Sequence, residues 1–291
     1  MKTTRLSFPQ RVLVAVTAVV ALSLSACTPA MRIQPGVIPA AELPEANLKT
    51  EAESYVQQHI NEENYAEIKK GPELRRVTAV IERLTQAAGY PPRTFPVHLV
   101  DAGEEVNAAA FNGASIVVYR ELLDRVKSDD ELATVLGHEF GHIMAKHYKE
   151  HEEEQERASA VSIGSSLLGA VASVATAAAG YGGSAADIAG GATEAATGAI
   201  GYGAFVGSFS RRQEYEADHV GLLLMAKAGY DPRVATQFWN RAEEIFGSSS
   251  SQVGAFFSTH PASKDRMEAI EEAMPSALPL YEGKVTSAKT P

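Results

Sequence analysis

His138, Glu139 and His142 stand inside the run VLGHEFGHIMAKHYKEH, residues 135 to 151, whose first half is otherwise apolar. Titratable groups in such surroundings are costly to bury unless they are paired. On a helix, His138 and His142 are about 40° apart and one turn along the axis, so their imidazoles can converge on one ion. Glu139 sits about 60° from His142, where it can reach a water held by that ion without being a ligand. This is the HExxH arrangement, two neutral imidazoles on zinc with a carboxylate beside the bound water. Gly141 suits close packing beneath the site.

A catalytic zinc needs a third protein ligand, and a His2Glu set is one established choice. The stretch EYEAD, residues 214 to 218, offers Glu214 and Asp218 one turn apart on a second helix. Glu216 points about 200° away from Glu214. Glu214 can bind the metal, and Asp218 can accept a hydrogen bond from the other nitrogen of a ligand histidine. Taken without HEFGH, the same acids read as a solvated helix face. His147 lies nine residues beyond His138, about 180° around a continuous helix. It and His151 are therefore expected on a solvated face beside Glu152, Glu153 and Glu154. His59, His98 and His219 have no partners at metal spacing and are expected to be structural or surface residues.

HEFGH followed by EYEAD resembles the HtpX-like and CAAX-prenyl-protease-like zinc metallopeptidases, over roughly residues 70 to 272. The resemblance implies a zincin-like core, one zinc per subunit on His138, His142 and Glu214, and peptide-bond hydrolysis with Glu139 as general base. NAAAFNGASIVVYRELL is similar to the family's stretch before the zinc helix. There Asn107 and Ala108 match positions that supply an edge strand for extended substrate. SRRQEYEAD and THPASKDR match as well. By resemblance, His260 is a latency ligand for the open zinc position and Arg266 an oxyanion stabiliser. Read without the family, His260 is a turn residue before Pro261 and Arg266 a helix-face cation.

These residues must be positioned by a helix-rich chain. Apolar spacing predicts helices between Glu51 and Ala88, broken at Gly71-Pro72, from about residue 129 to about 157, and from Arg211 to Gly229. Further helices are expected over 232 to 246 and 264 to 274, with frayed residues after Pro275. Phe95 to Asp101 and Ala114 to Leu122 read as strands, the second after an Asn112-Gly113 turn. The fold class is α+β, mostly helical, with a small sheet beside the zinc helix. Residues 51 to 275 form the catalytic domain and 276 to 291 a tail. Within the domain, 158 to 207 is a Gly/Ala/Ser-rich insert that departs from the family pattern. Close-packed hairpin, lid and membrane-inserted readings of it all stay open.

The N-terminus has Lys2, Arg5 and Arg11 before an apolar stretch, then Leu24-Ser25-Ala26-Cys27. This resembles a bacterial lipoprotein box, which implies cleavage after residue 26, lipid on Cys27 and, with Thr28 next, outer-membrane sorting. Residues 27 to 50 hold four prolines and no apolar period, and read as an extended tether. Membrane contact is then expected through the lipid anchor only, with the catalytic domain in the periplasm. The single cysteine excludes an intramolecular disulfide. A net charge of −10 argues against nucleic-acid binding. Expected substrates are unfolded or misassembled envelope proteins. The alternatives are a chaperone-like binder with a latent zinc site, and a Gly/Ala-rich region that is membrane-active or oligomerising beside a structural zinc, with His260 as its fourth ligand. Nothing in the sequence specifies an oligomeric state.

Overall fold

The computed structural model describes residues 31 to 111, 114 to 150, 153, 209 to 247, 256, 259 to 260 and 264 to 289. Cys27, the signal-peptide-like start and the insert at 158 to 207 lie outside the described residues. The fold is α+β and mostly helical, with one four-stranded sheet.

An extended segment from residue 31 leads into α1 (Ala46–Glu62) and a short strand β1 (Ala66–Glu67). Then comes α2 (Pro72–Ala88), which opens on a proline at its first turn and stops at Gly89, φ 91°. Strands β2 (Val97–Asp101), β3 (Ala108–Phe111) and β4 (Ser115–Tyr119) follow. The sheet order is β1-β2-β4-β3, with β2 and β4 parallel and both outer strands antiparallel to their neighbours. Among the described residues β3 is therefore an edge, paired to β4 alone, with Ala108 opposite Val118.

β4 is buried along its whole length because both faces of the sheet are covered. Ile116 and Val118 join the main core with α2, while Val117 and Tyr119 pack with Val56 and Ile60 of α1. The chain then turns into a short helix, α3 (Arg120–Arg125), not the strand continuation expected to Leu122. Two i,i+4 ion pairs, Arg120–Asp124 and Glu121–Arg125, lie along it.

The two central helices are α4 (Asp129–Ala145) and α5 (Arg211–Lys227). Ser128 caps α4 by accepting from the Glu131 N–H, and Ser210 with Gln213 forms a capping box on α5. Every residue from Leu132 to Met144 and from Gln213 to Ala226 is buried. Neither helix has a solvated face to give an amphipathic pattern, since each is enclosed on all sides.

α4 ends at Ala145, a dozen residues short of the sequence expectation. Lys146 adopts a left-handed conformation, φ 58°, and the chain resumes helix over 147 to 150. Downstream, 232 to 246 forms two short helices, α6 (Arg233–Trp239) and α7 (Ala242–Phe246). The last helix, α8 (Lys264–Lys289), runs through Pro275 and Pro279. Ile270, Ala273 and Ala277 are buried at helical spacing across Pro275, with Met274 and Tyr281 packed on the core. This continuous apolar face outweighs the local cost of a helical proline.

Residues 31 to 45 carry no regular element from 37 onward, but they are no free tether. Ile33, Ile38 and Ala41 pack on the main core, and the Gly36 N–H lies 2.8 Å from His219 Nε2. Among the described residues, no helix is long and apolar enough to cross a membrane.

Candidate metal centre

α4 and α5 touch backbone to backbone. A Cβ on Gly141 would lie 2.3 Å from the Ala217 carbonyl oxygen, and one on Gly221 would lie 2.6 Å from the Gly137 carbonyl oxygen. Small residues four apart on each helix allow this approach. It sets His138 and His142 directly against Glu214 and Asp218.

Four side chains converge there: His138, His142, Glu214 and His260, all buried. His138 Nε2 and His142 Nε2 are 3.1 Å apart, and His142 Nε2 is 3.4 Å from Glu214 Oε1. His260 Nδ1 is 3.1 Å from both His138 Nε2 and Glu214 Oε1. A tetrahedral zinc with arms of about 2.0–2.1 Å requires ligand-to-ligand edges of about 3.3–3.4 Å. The donor set, three imidazoles and a carboxylate, is also one that suits zinc. Two imidazole lone-pair positions facing each other at such a distance call for a cation or a shared proton between them. The residues present therefore fit a zinc ion.

Glu139 sits beside this cluster. Its Oε2 accepts the Ala110 N–H of edge strand β3 at 3.0 Å. Its Oε1 is buried and accepts no hydrogen bond among the described residues, with His260 Nε2 at 3.5 Å. Burial pushes the Glu139 carboxyl up, against the opposing pull of His260, His138 and the Ala110 N–H.

Around the cluster lies a layer of charge. Asp218 Oδ1 meets His138 Nδ1 at 2.8 Å, which leaves Nε2 facing the centre. Arg266 is buried and clasps both acids: Nε to Asp218 Oδ2 at 2.7 Å, Nη2 to Asp218 Oδ1 at 2.8 Å, and Nη1 to Glu214 Oε2 at 2.7 Å. Burial alone would raise both carboxyls. Arg266 and the neighbouring histidines outweigh it, holding Glu214 well below the usual carboxylate range and Asp218 below its own. Burial keeps His142 well below an ordinary imidazole, which leaves a neutral ring able to offer a lone pair. The Phe209 ring stacks on His142 at 3.9 Å between centroids, and Phe256 stacks on His260 at 4.6 Å. Aromatic faces thus help close the centre from solvent.

The structure differs from the sequence expectation at His147. His147 is not on a solvated face: it is fully buried, with Nδ1 2.9 Å from His142 Nδ1 and Nε2 3.0 Å from Glu216 Oε2. The rotation that placed it opposite the site assumed an unbroken helix, and the left-handed turn at Lys146 brings it back under His142. Glu216 points away from Glu214, as the spacing predicts, and enters a buried network with His147 and Arg212. Arg266, an oxyanion stabiliser by resemblance, is bonded to the carboxylates of Glu214 and Asp218. Asn107 and Ala108 lie at the start of β3: the Asn107 carbonyl accepts from Tyr119 N–H at 3.0 Å and its side chain from Ala108 N–H at 2.9 Å. His98 bridges Glu67 and Glu53, and His59 meets the Tyr119 hydroxyl, as structural residues do.

The profile of peptidase family M48 matches residues 73–274, a span that holds every one of these groups from Asn107 to Arg266. The chain belongs to peptidase family M48. It is similar to the mitochondrial metalloendopeptidase OMA1 of Schizosaccharomyces pombe, 31% identical over 201 residues covering 69% of this chain and 53% of that protein. It is similar to the metalloprotease LoiP of Escherichia coli, 30% identical over 201 residues covering 69% of this chain and 70% of that one. A third M48-like relative is the beta-barrel assembly-enhancing protease of Escherichia coli, 27% identical over 187 residues, or 64% of this chain and 35% of that protein. The matched region spans only about half of the OMA1 protein and about a third of the assembly-enhancing protease.

Proposed function

We propose that this M48 chain is a zinc metalloendopeptidase acting on unfolded or misassembled proteins of a bacterial envelope. The observation that carries the reading is the convergence of His138, His142 and Glu214 beside a Glu139 whose Oε1 has no donor among the described residues. A zinc ion held by those three residues would supply Lewis-acid polarisation of a carbonyl and an activated water. Glu139 Oε1 would take a proton from an attacking water and pass it to the departing amine, with Oε2 held by the Ala110 N–H. Among the described residues β3 is an edge strand one hydrogen bond from Glu139; its outward Ala108 and Ala110 N–H groups are held by Asn107 Oδ1 and Glu139 Oε2, and its outward carbonyls can accept from an extended chain. Substrate selection by main-chain pairing suits unfolded proteins, whose strands are available.

Asp218 orients His138, and Arg266 acts through Glu214 and Asp218, as a positioning residue. His260 fills the fourth position of the cluster, which would keep the resting enzyme latent until that histidine leaves. The envelope assignment rests on the lipoprotein-like start at Cys27 and on similarity to the bacterial relatives named above.

The test is zinc content and cleavage of an unfolded protein such as reduced casein, for the full chain and for Glu139→Gln. One zinc in both proteins, with cleavage lost in the variant, is expected. A wild-type chain that takes up no zinc, or an equally active Glu139→Gln, overturns the reading.

A further inference from the structure

His138 and His142 both turn Nε2 toward the centre, and each is held from behind at Nδ1. For His138 the holder is a carboxylate, Asp218. For His142 it is a second imidazole, His147, at 2.9 Å. An imidazole can hold another in one tautomer only if its own tautomer is fixed.

That requirement is met one residue further on. His147 Nε2 lies 3.0 Å from Glu216 Oε2. A carboxylate only accepts, so His147 must carry its proton on Nε2 and present a lone pair at Nδ1. His142 must then donate from its Nδ1, which leaves its Nε2 free of a proton and aimed at the cluster. Glu216 in turn is clamped on both oxygens. Oε2 also takes Arg212 Nη1 at 2.6 Å, and Oε1 takes the backbone N–H of Arg32 together with that of Ile33 at 3.3 Å. The clamp joins α5 to the strap that precedes α1, 183 residues apart in sequence for Ile33. Glu216 and His147 are both buried, so water does not compete for these bonds.

We propose that His147 and Glu216 are positioning residues of the metal centre, fixing the tautomer of His142 through a relay anchored on the backbone of residues 32 and 33. The proposal rests on the zinc reading above, which assigns His142 as a ligand. The two imidazole ligands are then set by parallel devices: one carboxylate acts directly, the other through an intervening histidine.

Glu216→Gln separates this role from packing. The amide has the same shape, but one of its arms is a donor. Whichever way it turns, it opposes either His147 Nε2–H or the backbone N–H groups of the strap. Turned toward His147, the donor forces the wrong tautomer on His147 and hence on His142. The measurement is zinc affinity of the full chain by competition with a chromophoric chelator, beside the visible spectrum of the cobalt-substituted protein. Affinity is expected to fall by roughly 10–100-fold, the usual cost of losing an outer-layer partner, with a shifted cobalt spectrum; the metal-free thermal midpoint measures separately what the disturbed clamp costs the fold. His147→Leu should fall similarly, and His147→Gln, which can both accept and donate, should recover part of the loss. Zinc affinities within twofold of wild type for both Glu216→Gln and His147→Leu overturn the relay alone. A wild-type chain that takes up no metal overturns the relay together with the zinc reading.

Discussion

Gly141 on α4 faces the Ala217 backbone on α5 so closely that a single added methyl group would meet the carbonyl oxygen at 2.3 Å and the Cα at 2.7 Å. The contact is backbone against backbone, so no side chain can swing aside. Gly141→Ala should force the helices apart at the level where His142 faces Glu214. Overpacking of this kind costs about 1–3 kcal/mol. Ala is the better helix former, by about 1 kcal/mol, so propensity alone predicts the opposite sign. A lowered thermal midpoint together with weakened zinc uptake is expected; a stabilised protein with normal zinc would show that the helices are not in contact there.

Removing the metal should cost stability in proportion to how tightly it is bound. Without a cation, the lone pairs of His138 and His142 and the charge of Glu214 face one another in a buried space. At a free zinc concentration a thousand times the Kd, binding contributes about 4 kcal/mol, which for a domain of this size is roughly 10 °C in Tm. Thermal scans with zinc and with a strong chelator measure the difference. Coincident transitions would argue that the cluster holds no metal.

Arg266 is the counterion of two buried acids at once, and its Cζ also lies 5.1 Å from the Trp239 ring centroid. Arg266→Ala leaves Glu214 and Asp218 without their main opposing charge, and breaking a buried pair in this way costs about 3–5 kcal/mol. Arg266→Lys offers a point charge that cannot bridge both carboxylates in a fork, so it should recover only part of the loss. Urea unfolding of the two variants tests this. An Arg266→Ala protein as stable as wild type, but slow in turnover, would return the residue to an oxyanion role.

Much of the centre was legible because its parts sit at fixed helical offsets. His138, His142, Glu214 and Asp218 need only two helices and a spacing of four, and Gly141 marked the closeness of the contact. What stayed hidden depended on breaks in regularity or on contacts between distant segments. His147 required the left-handed turn at Lys146, a conformation that lysine does not announce. Glu216 required knowing that residues 32 and 33 cover the far side of α5, and that strap carries no periodic pattern. The extension of α8 past Pro275 and Pro279 is a case of tertiary burial at Ala277 and Tyr281 overriding local preference.

His260 stands where a fourth ligand would, 3.1 Å from His138 Nε2 and 3.1 Å from Glu214 Oε1, with its other nitrogen toward Glu139. A catalytic centre needs that position open, whereas a structural one is closed by a fourth ligand. The two cases predict opposite results for His260→Ala. In a latent enzyme, three ligands remain, zinc stays at one per chain, and activity rises because the closed form no longer competes. A closed form favoured by about 1.4 kcal/mol leaves roughly one molecule in ten open, so the variant should cleave an unfolded substrate about tenfold faster. In a structural site, the same substitution strips the metal and lowers the thermal midpoint without any gain in cleavage. Zinc content, thermal midpoint and casein cleavage measured on the same preparation of His260→Ala decide between them.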